Sequence, residues 1–231
     1  MPTSHFDQLS EIVRLIILAK PKSILDIGVG FGKYGFLARE YLEIWGTIEY
    51  NDWKIRIDGI EAFQRYLTPV HKFIYNEIYI GNAIEILPTL KTDYDLILLI
   101  DVLEHLSYEQ GRQLLRDCMA HAKNTIISTP KNMNAQHSDV NPYENHKFQW
   151  KKKLFAEFSN KFFVSHPRSL ICYIGNDAHR LKKVVYKSRM TETIKTQFPF
   201  LAVPYRVFRR WFSRSISACH RTFADRKFPL T

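Results

Sequence analysis

The chain has 231 residues, 45% of them apolar and 14% aromatic, with a formal net charge of +10. That apolar content excludes a disordered chain, and no apolar run reaches the roughly 18–20 residues that cross a bilayer, the longest being broken by Asp101. The charge is uneven: residues 1–181 carry 21 Lys and Arg against 21 Asp and Glu, and residues 182–231 carry 12 against 2, so a neutral body of single-domain size (1–181) precedes a basic extension (182–231).

Residues 7–19 put Leu9, Ile12, Val13, Ile16 and Ile17 on one side, the spacing of a helix that Pro21 stops. SILDIG (23–28) is a short apolar run ending in glycine, as a buried parallel strand would. A helix is predicted over 33–45. Strands follow at 54–61 and 77–83, and YDLILLID (94–101) is the most apolar of all. Residues 107–121 read as a helix and NTIISTP (124–130) as a fifth strand. Strands alternating with helices imply an α/β fold with a doubly wound parallel sheet. Residues 131–149 are polar and aperiodic, a loop long enough to be functional. A short helix is expected over 151–159. FFVSHP (162–167) and LICYIG (170–175) could form an antiparallel hairpin closing the sheet. Cys118, Cys172 and Cys219 are odd in number and widely spaced. They predict neither a disulfide framework nor a zinc site. With no secretory pattern at the start of the chain, the expectation is a cytoplasmic protein.

The first strand runs into Asp26-Ile27-Gly28-Val29-Gly30-Phe31-Gly32. Alternating glycines let the backbone turn sharply and come close to a ligand, and the next helix aims its N-terminal amides at it. Taken alone, the loop also fits, less well, a strand-to-helix turn that needs glycine for geometry alone. A nicotinamide fingerprint is spaced G-x-G-x-x-G, which this is not. The second strand ends in Gly59-Ile60-Glu61, where a carboxylate can accept from both ribose hydroxyls. The third ends in Gly81-Asn82-Ala83, within reach of a base edge, and the fourth in Asp101-Val102-Leu103-Glu104-His105.

This ordered set resembles the class I S-adenosylmethionine-dependent methyltransferases over roughly residues 20–160. LDIGVGFGKYG matches their first motif, IDGIEAF the ribose site, GNAIEIL the adenine loop and YDLILLIDVLEHL the fourth motif. The resemblance implies a mostly parallel seven-stranded, Rossmann-like methyltransferase fold and S-adenosyl-L-methionine as cofactor. It implies that Asp26 anchors the loop near the cofactor's amino group. Gly28, Val29, Gly30 and Gly32 would accommodate the methionine part, with Asp101 and Val102 facing it. Glu61 and Ala62 would meet the ribose, and Asn82 and Ala83 the adenine. Asn82 stands where many relatives carry Asp.

Asp101, Glu104 and His105 have the spacing D-x-x-E-H, followed by Ser128-Thr129-Pro130 and by His146-Lys147-Phe148-Gln149-Trp150. Ubiquinone-pathway O-methyltransferases show a similar E-x-x-E-H. Small-RNA 3′-terminal 2′-O-methyltransferases share it together with S-T-P and an HKFEW-like stretch. In the latter, two Glu and two His hold a divalent cation that grips a ribose diol. Carried over, Asp101, Glu104, His105 and His146 would hold Mg²⁺ or Mn²⁺, with Asp101 in place of the family Glu. Without a metal, Glu104 or His105 would act alone, His105 as general base. Tyr143 and Glu144, in the same loop as His146, are candidate substrate contacts.

In residues 203–216, Val207, Phe208, Trp211 and Phe212 oppose Arg206, Arg209, Arg210 and Arg214 at helical angles. Such a segment could dock on its own domain, lie on an anionic membrane surface or meet the phosphates of a nucleic acid. The leading expectation is O-methylation of a saccharide, lipid-linked or other small hydroxyl substrate, with peripheral membrane contact through 203–216. RNA ribose 2′-O-methylation is the second reading. A non-catalytic binding protein of the same fold is the third, and the intact glycine loop and Glu61 speak against it.

Overall fold

The computed structural model describes residues 3–46, 52–133 and 136–197. Five strands pair in parallel: β1 (Ser23–Ile27), β2 (Arg56–Glu61), β3 (Glu77–Ile80), β4 (Tyr94–Ile100) and β5 (Ala122–Pro130). Two more, β6 (Lys161–Val164) and β7 (Ser169–Gly175), form the expected antiparallel hairpin, and β7 pairs antiparallel with β5. The sheet order is β3-β2-β1-β4-β5-β7-β6. The chain leaves β1 toward β2 on one side and later returns to β4 on the other. A crevice therefore opens at the carboxyl ends of β1 and β4, where open parallel sheets bind ligands.

The helices are α1 (Leu9–Ala19), α2 (Lys33–Leu42), α3 (Pro69–Ile74), α4 (Ala83–Ile86), α5 (Tyr108–His121) and α6 (Ala178–Gln197). α1 buries Ile12, Val13, Leu15 and Ile16, and it ends on Lys20, whose φ of 50° ahead of Pro21 breaks the helical path. α5 opens with a capping box between Ser107 and Gln110. Its Leu114, Leu115 and Cys118 join Leu25, Ile27, Ile97, Leu99, Ile127 and Cys172 in one apolar core. Two residues at a time along each strand, these side chains share a sheet face.

The expected helix over 151–159 is instead a 3-10 turn at Lys152–Phe155. Three adjacent lysines leave no apolar stripe for a longer helix, and only Phe155 there is fully buried. α3 and α4 are short elements that periodicity did not reveal. Cys118 and Cys172 are buried free thiols, which burial holds in the protonated form.

The chain divides into two compact units, Met1–Leu181 and Lys182–Thr231, and all seven strands belong to the first. In the second, Val184, Tyr186 and Met190 of α6 are exposed. The amphipathic stretch 203–216 and Cys219 lie outside the described residues. Among those described, no helix is long and apolar enough to cross a membrane.

Candidate active site

The crevice at the carboxyl ends of the strands is a cleft of about 340 Å³. Every expected site residue except Asp26 and Gly32 lies in its wall. The loop after β1 shapes one side. Gly28, Gly30 and Gly32 all have positive φ, at 77°, 54° and 79°. A Cβ on Gly28 would stand 2.6 Å from Val102 Cγ2. Glycine is therefore required there for backbone conformation and for space. The Gly28 amide donates to the Ile60 carbonyl at 2.9 Å. Gly32 stands at the N-cap of α2 rather than in the wall.

Glu61 ends β2 almost fully buried. Its two carboxylate oxygens accept from the Gly30 and Phe63 amides, each at 2.8 Å. It is thus a brace for the glycine loop as well as a candidate ribose acceptor, since each oxygen keeps a further lone pair. Burial raises its pKa. Asn82 caps α4, its side-chain oxygen accepting from the Ile84 amide at 3.1 Å. The cap employs the oxygen and leaves the amide nitrogen as a donor.

Asp26 does not face the cleft. It is 3% exposed beneath the loop, its Oδ2 accepts from the Tyr75 hydroxyl at 2.7 Å, and burial pushes its pKa up to about 7. Through Tyr75 it supports the loop from beneath.

Asp101 is one of two non-glycine residues with positive φ among those described, at 53°, and such conformations cluster where function requires them. Its Oδ2 accepts from Gln8 Nε2 at 2.6 Å, and its Oδ1 lies 3.0 Å from Ser128 Oγ. Ser128 Oγ also lies against Gln8 Oε1. Gln8 is fully buried. The chain's first turn is thereby tied to the mouth of β4, and Ser4 and His5 form part of the cleft wall.

Glu104, His105 and His146 each offer a ligand atom, all within 4.8 Å of one another. Asp101 falls outside this group, because its carboxylate is turned to Gln8 and Ser128. Glu104 is 2% exposed, and among the described residues its Oε2 has no hydrogen-bond partner within ordinary distance, the Thr129 side chain being a polar neighbour. Burial, reinforced by Asp101, raises its pKa well above the carboxylate range. A buried carboxylate oxygen without a partner is costly and calls for an ion, a proton or a polar ligand. The His105 and His146 rings sit 5.1 Å apart. Burial pushes His105 down to about 4, and its Nδ1 lies 3.3 Å from the Asn145 carbonyl. Carbonyls only accept, so Nδ1 carries the proton and Nε2 keeps its lone pair.

The long loop is fastened over this trio. The Glu104 carbonyl accepts from the Lys147 and Phe148 amides at 2.7 and 3.2 Å. The Trp150 indole donates to the Leu103 carbonyl at 3.0 Å. A Cβ on Gly111 would stand 2.3 Å from that indole, so α5 needs glycine where Trp150 crosses it. Glu144 accepts from the Tyr66 hydroxyl, which in turn accepts from Asn141 Nδ2 at 2.9 Å. Glu144 is therefore engaged within the loop, whereas Tyr143 is 48% exposed in the cleft wall. Gln8, Tyr66 and Tyr75 were not legible as supports of the site, because each acts through a partner distant in sequence.

No protein-family model matches the chain, and no curated protein does. Solved structures match its fold. The N-terminal domain of EvdMO1, determined in the presence of SAH and D-fucose, aligns with a TM-score of 0.53 at 15% identity, covering 75% of this chain and 84% of that one. A SAM-dependent methyltransferase from Archaeoglobus fulgidus aligns at 0.54 and 16%, covering 73% and 93%. The fold is the Rossmann-like methyltransferase fold. PigF with SAH aligns at 0.51 and 18%, and there the match spans 74% of this chain and 62% of that one.

Proposed function

We propose that the chain is an S-adenosylmethionine-dependent methyltransferase acting on a hydroxyl of a saccharide, lipid-linked or other small substrate. One observation carries the reading. A loop that admits only glycine at Gly28, a carboxylate at Glu61 and a capping amide at Asn82 line one cleft at the switch point of the sheet. The glycine loop, the Glu61 carboxylate and the Asn82 amide nitrogen suit that cofactor, which supplies an electrophilic methyl group when bound. The chain's own part is to hold the acceptor in line and take its proton. His105 offers the lone pair for that role at Nε2, although burial lowers its pKa and so weakens it as a base. Glu104 and residues of the loop over 136–147 border that position.

The orphaned Glu104 oxygen beside two imidazoles favours a second reading, RNA ribose 2′-O-methylation with a divalent cation. Glu104, His105 and His146 would hold Mg²⁺ or Mn²⁺, which would sharpen the acidity of a bound hydroxyl. The neutral charge of residues 1–181 weighs against a nucleic-acid substrate for the body itself. We place the enzyme in the cytoplasm, with 203–216 as its membrane contact. Transfer of labelled methyl from S-adenosylmethionine to saccharide, lipid-linked and RNA acceptors, with Mn²⁺ or with EDTA, tests both readings. Transfer to a small hydroxyl supports the first. Cation-dependent transfer to RNA alone replaces it with the second. No transfer to any of them, together with no cofactor binding, removes both.

A further inference from the structure

α3 is too short to carry a motif, yet it stands directly behind the glycine loop. His71 is 1% exposed and forms no part of the cleft wall. Its Nε2 lies 2.9 Å from the Gly30 carbonyl, across 41 positions of sequence. Its Nδ1 lies 2.9 Å from the Thr68 amide. An amide N–H can only donate and a carbonyl can only accept, so the two contacts leave one arrangement. Nδ1 carries the lone pair, and Nε2–H donates to Gly30. The next residue but three, Tyr75, stacks on His71 with ring centres 6.1 Å apart and donates to Asp26 at the root of the same loop.

The consequence for the cleft follows from peptide geometry. All peptide bonds among the described residues are trans. In a trans peptide the N–H points opposite to the preceding C=O. Pinning the Gly30 carbonyl to His71 turns the Phe31 N–H away from α3. Gly30 and Phe31 both line the cleft, and His71 does not. The Gly30 amide is meanwhile held by Glu61 at 2.8 Å. The loop is therefore gripped at both faces of Gly30, which leaves the Phe31 N–H as a donor for a ligand in the cleft.

We propose that His71 is a positioning residue for cofactor binding: its Nε2–H fixes the Gly30–Phe31 peptide so that the Phe31 amide meets the carboxylate of the cofactor's amino-acid part. The proposal rests on the reading of the cleft as an S-adenosylmethionine site. It does not require the metal or any particular acceptor.

Three variants separate a positioning role from a packing role. His71→Phe keeps the ring and loses both nitrogens. His71→Gln can place its amide near the Nε2 position and keep the donor to Gly30. His71→Asn is too short to reach that carbonyl. Titration of each full-length protein with S-adenosylhomocysteine by calorimetry reads the dissociation constant, and a thermal melt without ligand reads folding. The expected result is a loss of about tenfold in affinity, about 1.4 kcal/mol, for Phe and for Asn. Gln should stay within about threefold of the wild type. Wild-type affinity in His71→Phe or His71→Asn, or a loss in Gln as large as in Asn, overturns the proposal. Should His71→Phe fail to fold, the Gln and Asn pair decides by itself. Failure of the wild type to bind would instead overturn the cofactor reading, so the two failures are distinct.

Discussion

Gly28→Ala places a methyl group where both the backbone and a neighbour oppose it. The φ of 77° costs an L-residue about 1–2 kcal/mol. The new Cβ would stand 2.6 Å from Val102 Cγ2, and overpacking of that kind costs about 1–3 kcal/mol. A central figure of about 3 kcal/mol lowers the melting temperature by roughly 6–12 °C for a domain of this size. Val102→Ala removes the obstructing methyl and costs about 1 kcal/mol alone. In the double variant the clash is gone and the φ strain remains. A double-mutant cycle, measured by urea and thermal unfolding, should therefore show about 1–2 kcal/mol of favourable coupling. The reasoning fails if Gly28→Ala melts like the wild type, or if Val102→Ala gives it no relief.

Three further expectations come from the same site. Asp26 has its pKa raised to about 7 in the fold, against 3.8 ordinarily, so the folded state binds the extra proton between those values. Its contribution to stability therefore falls as pH rises from about 4 to about 7. Asp26→Asn should flatten that part of the pH profile relative to the wild type, and urea midpoints at pH 5 and pH 7.5 that shift in parallel for the two proteins would contradict it. Glu104→Gln removes a buried acid whose Oε2 has no hydrogen-bond partner among the described residues. It should leave stability within about 1 kcal/mol of the wild type while abolishing any cation-dependent methyl transfer, and a variant that keeps such turnover would remove Glu104 from the cation site. Replacing both Trp211 and Phe212 with Glu in the full chain should reduce sedimentation with anionic vesicles by more than half. Equal partition of variant and wild type would end the membrane proposal.

The inner parallel strands were legible because they are buried on both faces and so read as apolar runs: β4 is the clearest, from Tyr94 to Ile100, whereas β3, at the sheet edge, is exposed at Glu77 and Ile80. The glycine loop was legible because positive φ and close approach leave few other residues acceptable. β5 begins at Ala122, earlier than the expected Asn124, because α5 passes into it with no loop between. Residues 151–159 misled because three lysines beside Leu154 and Phe155 imitate one helical turn but bury too little to extend it. The supports of the site were not legible. Gln8 reaches Asp101 across 93 positions, and Tyr75 reaches Asp26 across 49. His71 looks in sequence like any surface histidine. Asp101 fitted the spacing of a metal ligand, but spacing cannot show that Gln8 and Ser128 already engage its carboxylate. Local chemistry showed what kind of site to expect, and long-range hydrogen bonds decide which residues face it.

Calorimetric titration of the wild-type chain with S-adenosylhomocysteine, beside Glu61→Ala, tests the central claim most directly. The account predicts saturable binding to the wild type with one site per chain. In Glu61→Ala the loop loses its brace at Gly30 and the ribose loses its acceptor, so affinity should fall at least tenfold. No heat of binding in the wild type, or equal affinity in the two proteins, would contradict it.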